Sequence, residues 1–161
     1  MSTIIEMKYS NSNDKIIKLE EIIGLKFNKR QWAIQAITSI SFSNDYNKKH
    51  KEIYNQNALA ILGDAILKSV ISETLLKKER SITKGELTET KKELESNDKL
   101  HKIGLQLGVK ECLLFTDSEE INVYKIATTI EAIIGAIYLS NGIRATKRFV
   151  TDKIISFVDV K

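Results

Sequence analysis

Apolar residues recur at intervals of three and four along nearly the whole chain, the spacing that gathers them on one side of an α-helix. On that periodicity Lys15 to Ile23 form a first amphipathic helix, which Gly24 stops by taking the left-handed conformation that other residues avoid. Lys29 to Ile40 form a second. Ser41 to Lys51, rich in Ser, Asn and Lys, read as a polar loop leading to the most apolar stretch, Asn57 to Leu76, which is expected to be the central helix. A basic turn, Lys77 to Arg80, precedes a charged helix from Thr83 to Glu95. Ser96 or Asn97 then caps a helix over Asp98 to Leu107 that ends at Gly108. A short apolar segment, Glu111 to Phe115, and an acidic loop, Thr116 to Glu120, lead to two last helices, Tyr124 to Leu139 and Ile143 to Phe157. The pattern predicts an all-α fold of about seven helices. Proline is absent, glycine is placed singly and no repeat is evident, so residues 15–161 read as a single domain after an N-terminal extension, 1–14.

Two of these helices break the rule that apolar faces carry no charge. Asp64 follows a glycine inside LAILGDAIL, Leu59 to Leu67, and Glu131 stands among Ala, Ile and Gly in IEAIIGAIYL, Ile130 to Leu139. A carboxylate in such surroundings is costly to desolvate unless something compensates it. Asn57, Ala60 and Asp64 share one face of the first helix, and Thr128, Glu131 and Gly135 share one face of the second. Both faces are small or polar, so the helices can approach closely and bring one carboxylate from each to a common point. Such a pair suits a magnesium ion that keeps several waters and takes further oxygens from a substrate phosphate. On the residues alone, Asp64 as a helix cap after Gly63 and Glu131 as a solvated surface residue remain open.

Composition narrows the class. The chain has 161 residues, 42% hydrophobic and 29% charged, the balance of a globular domain with a continuous core. No apolar run is read as reaching the roughly 18 residues of a membrane span, and Met1 to Asp14 lack the layout of a signal peptide, which points away from a membrane and towards the cytoplasm. Cys112 is the only cysteine, so no internal disulfide forms, and His50 and His101 are too far apart in sequence to suggest a zinc site. The net charge of +4 and pI near 9.0 tilt the surface towards polyanions. Lys77, Lys78, Arg80 and Lys84, followed by Lys91 and Lys92, cluster around one connection and the helix after it. They can contact phosphates or form an ordinary solvated face.

LGDAIL at Leu62 to Leu67 and IEAIIGAIYLSNG at Ile130 to Gly142 resemble the two most distinctive motifs of the ribonuclease III family. KGELTETKKEL, Lys84 to Leu94, resembles the family's Gly-Glu-Leu helix start, and LEEIIGLKF, Leu19 to Phe27, with AITSIS, Ala36 to Ser41, is similar to its amino-terminal pattern. The resemblance, in order and spacing, runs from about Leu19 to Phe157. It implies an all-helical endonuclease domain that dimerises and cleaves double-stranded RNA with magnesium, or manganese in its place.

The resemblance also implies four acidic residues per subunit, of which Asp64 and Glu131 are the second and fourth; Ala60 and Thr128 hold the other two positions. Asp64 and Glu131 are therefore the candidate catalytic and metal-binding residues, with the ion held weakly if at all. Ile61 takes the place of the bulky apolar residue that docks into the partner subunit, and is otherwise a core residue. Lys84, Lys91 and Lys92 are candidate RNA contacts. The chain ends at Lys161 just beyond the resemblance, so no double-stranded-RNA-binding domain is expected after it. Three outcomes stay open: cleavage with a weakly held metal, recruitment of another carboxylate such as Glu86, or a non-cleaving homodimer that binds structured RNA or a protein.

Overall fold

In a computed structural model, residues 4–157 are described. Helices α1 (Ile4–Ser10), α2 (Ser12–Ile23), α3 (Arg30–Ile37), α4 (Ile40–Asn47), α5 (Asn57–Lys78), α6 (Lys84–Leu94), α7 (Asn97–Leu107), α8 (Val123–Asn141) and α9 (Ile143–Val150) follow one another, with a 3₁₀ turn at Val109–Cys112 and a π turn at Thr151–Ile155. The architecture is all-α, as the periodicity predicts. Among the described residues the one extended pairing is an isolated bridge between Thr38 and Leu114.

Helix α8 is the axis of the molecule. Eleven of its residues, from Ile126 to Ser140, are buried. It packs against α5 over the largest interface, and against α3, α7 and α9 on its other sides. Its burial corrects one expectation: Val123–Asn141 is long and apolar enough to cross a membrane by length and composition, yet 61% of its most apolar window is buried among the other helices. A core helix surrounded on several sides is apolar all round for the same reason a membrane helix is.

Two further differences have local causes. The expected second helix ends at Ile37, because Thr38 and Ser39 turn extended, and a separate helix, α4, starts at Ile40, where the Ser39 side chain caps it by accepting from the Phe42 backbone N–H at 3.1 Å. The polar segment taken for a loop is therefore mostly helix, held by buried Phe42 and Ser43. Within the amino-terminal extension, α1 forms, and Tyr9 packs on Tyr46 with ring centroids 4.5 Å apart while Lys8 donates to the Phe115 carbonyl at 3.0 Å.

The start of α5 is fixed by a buried polar contact. The Gln56 side-chain amide donates to the Thr129 hydroxyl at 3.1 Å, and that hydroxyl donates to the Lys125 carbonyl at 2.8 Å. This pair sets the register of α5 against α8 and so decides which residues meet where they cross.

Candidate active site

Helices α5 and α8 meet at two glycines. A Cβ on Gly63 would overlap the Glu131 carbonyl oxygen, and one on Gly135 would overlap the Leu59 carbonyl oxygen. The two backbones thus touch at Gly63 and Gly135, which only glycine permits. Asp64 follows Gly63 and Glu131 lies one turn before Gly135, so the close approach delivers both carboxylates to the same mouth. Asp64 is in mid-helix and caps nothing, and Glu131 is half-buried rather than fully solvated.

That mouth is an open pocket of about 630 Å³ lined by Asn57, Ala60, Ile61, Asp64, Lys68, Glu95, Asn97, Thr128 and Glu131. All the positions the sequence grouped on two helix faces, Gly135 apart, line it. Three further members were not foreseen. Lys68, one turn beyond Asp64, donates from Nζ to Asp64 Oδ2 at 2.8 Å. Glu95 arrives from the connection between α6 and α7, and Asn97 from the first position of α7. Glu95 lies 3.7 Å from Lys91 Nζ, and its Oε2 is buried without a hydrogen bond. An i, i+4 spacing from Asp64 was a usable signal for Lys68. For Glu95 there was none, because its place depends on how α6 folds back.

The electrostatics follow from this crowding. Burial pushes the Glu131 carboxyl up to about 7, neighbouring Asp64 and Glu95 add to the rise, and Lys68 opposes it. The hydrogen bond to Asp64 raises the Lys68 ammonium in turn, with Glu95 and Glu131 contributing. The pocket is a cluster of three carboxylates with one internal cation.

Glu86 is not the substitute acid. Its carboxylate accepts from the Thr83 backbone N–H and hydroxyl, both at 2.8 Å, and the Thr83 hydroxyl accepts from the Glu86 N–H, forming a capping box at the start of α6. Those bonds hold its carboxyl below the usual range. Lys84 and Lys92 are exposed on α6, whereas Lys91 is turned towards Glu95. Ile61 is 75% exposed at the edge of the pocket, so it is not a core residue within this chain.

This fold, with a pocket built from one carboxylate on each of two crossing helices, defines the class. The chain belongs to the ribonuclease III family: residues 30–158 match the family model described as Ribonuclease-III-like. Its curated relatives include Ribonuclease 3 of Desulforamulus reducens, 32% identical over 155 residues, and Ribonuclease 3 of Azobacteroides pseudotrichonymphae, 29% identical over 153. The matches cover 93% and 94% of this chain but 62% and 58% of those proteins. Among solved structures, the nuclease domain of ribonuclease III from Campylobacter jejuni superposes with a TM-score of 0.74 at 28% identity, covering 86% of this chain and 97% of that one.

The divalent ion implied by the family was tested against the residues present. Ala60 and Thr128 line the pocket without adding charge, and Asp64 is already engaged by Lys68. Among the described residues no group of three histidine, cysteine or carboxylate side chains is arranged to hold a metal. Magnesium demands near-octahedral oxygen ligands and is usually held by one or two ionised carboxylates, completed by waters and substrate oxygens. With Asp64 paired to Lys68 and the Glu131 carboxyl raised to about 7, the two carboxylates at the helix crossing do not fit the ion as they stand.

Proposed function

We propose that this chain is a ribonuclease III-type module that binds double-stranded RNA as a homodimer and does not cleave it at an appreciable rate. The observation that carries the reading is the pocket itself: a nuclease-family fold in which alanine and threonine stand at two of the acidic positions and a lysine holds one of the two acids that remain. Binding needs less than hydrolysis. An exposed apolar knob at Ile61, exposed Lys84 and Lys92 and a net charge of +4 support a dimer with affinity for a phosphate-lined duplex. Recognition through backbone shape and 2′-hydroxyls gives little sequence preference. A cytoplasmic location belongs to the same reading, and the buried free thiol of Cys112 accords with it.

One observation favours a second reading, that of a metal-assisted endoribonuclease acting on double-stranded RNA. Glu95 brings a third carboxylate to the pocket beside Asp64 and Glu131, with one oxygen lacking a hydrogen bond. A single experiment separates the two. The protein, expected to sediment as a dimer at micromolar concentration, is mixed with long duplex RNA in magnesium and compared with Asp64→Asn/Glu131→Gln. The proposal expects a retarded, uncut duplex with both proteins. Cutting by the wild type that the double variant lacks establishes the second reading, and failure to retard the duplex overturns the first.

A further inference from the structure

We infer that Lys68 is a built-in cation that replaces the divalent ion in this pocket. Its ammonium is 2.8 Å from Asp64 Oδ2, and its charge acts on Glu95 and Glu131 as well. Among the residues that line the pocket, Lys68 is thus the positive charge set beside Asp64, Glu131 and Glu95, with Lys91 reaching Glu95 from outside it. Those acids would otherwise repel one another in a half-buried site, where a like-charge cluster is destabilising. A divalent ion would answer the same need.

Placement supports this role over that of a chance surface pair. Lys68 lies one helical turn from Asp64 and on the pocket side of α5, since both line the cavity. Another basic side chain, Lys91, is 3.7 Å from Glu95 Oε2 and does not line the cavity. The charge of Asp64 is therefore answered from within by a tethered ammonium, and an incoming ion must displace Lys68 to use that carboxylate oxygen. Two uncharged neighbours, Ala60 and Thr128, leave the ion little to gain by doing so. The inference concerns ion binding alone and stands or falls independently of RNA binding.

The test uses manganese titrated into the RNA-free protein, read by loss of the free-ion paramagnetic signal and by the melting temperature. Wild type is expected to give no resolved binding and no thermal shift. Lys68→Ala is expected to melt below wild type in chelator, to bind manganese at least ~tenfold more tightly than wild type, and to regain its melting temperature as the ion is added. Lys68→Arg keeps the charge and is expected to stay unresponsive, which separates the loss of the cation from damage to the helix. The inference is overturned if wild type binds manganese as tightly as Lys68→Ala, if Lys68→Ala remains unresponsive, or if Lys68→Arg responds as the alanine variant does.

Discussion

At the scale of single residues, Glu131 carries a measurable consequence. Its carboxyl titrates near 7 in the folded chain, raised by burial and by Asp64 and Glu95, against about 4.3 in an unfolded chain. The folded state then holds the proton more tightly than the unfolded state, so stability falls as pH rises from about 4.5 to 7 and is level above that. The ceiling on this effect is about 4 kcal/mol, and solvent in the open pocket lowers it. Glu131→Gln removes the ionisation. Its melting temperature is expected to match wild type near pH 4.5 and to exceed it by several degrees at pH 8; an equal difference at both values would contradict the environment assigned to Glu131. Asp64 and Glu131 were legible in the sequence because charge on an apolar face is conspicuous. Glu95 was not, since at the end of a highly charged helix one more acid carries no contrast.

At the scale of elements, the site exists because α5 and α8 cross with their backbones in contact. Gly63 and Gly135 occupy each other's path, and any Cβ at Gly63 would overlap the carbonyl of Glu131, which cannot move without shifting α8. Gly63→Ala is therefore expected to destabilise the protein by more than about 3 kcal/mol in chemical denaturation, beyond the range of an ordinary small-to-large change. A loss under 1 kcal/mol would mean that the helices are not in contact there. The small faces of both helices announced this approach in the sequence, Ala60 on one and Gly135 on the other. The end of α3 at Ile37 and the start of α4 were hidden, because Ser39 reads as part of a helix until its side chain is seen capping the next. The polar run after it was misread for the same reason, its burial being confined to Phe42 and Ser43.

At the scale of the molecule, the proposal separates fold from chemistry. The matches to ribonuclease III relatives extend over nearly the whole chain, which spans about 60% of the length of those curated proteins. The packing that makes the fold is complete: α8 is buried, the glycine crossing is intact and each of α4, α6, α7 and α8 is closed by a side-chain cap. The proposal places the difference in the charge of the pocket, where Ala60, Thr128 and Lys68 stand beside Asp64, Glu95 and Glu131. If only that charge is missing, restoring it restores the chemistry without rebuilding the scaffold. The most direct measurement is the magnesium-dependent cleavage rate of a long RNA duplex by wild type beside Ala60→Glu/Thr128→Asp/Lys68→Ser. The account predicts an uncut duplex with wild type and cleavage at least ~100-fold above it with the triple variant, the order supplied by one well-placed charged group in an active site. Cleavage by wild type, abolished by Asp64→Asn, would contradict it.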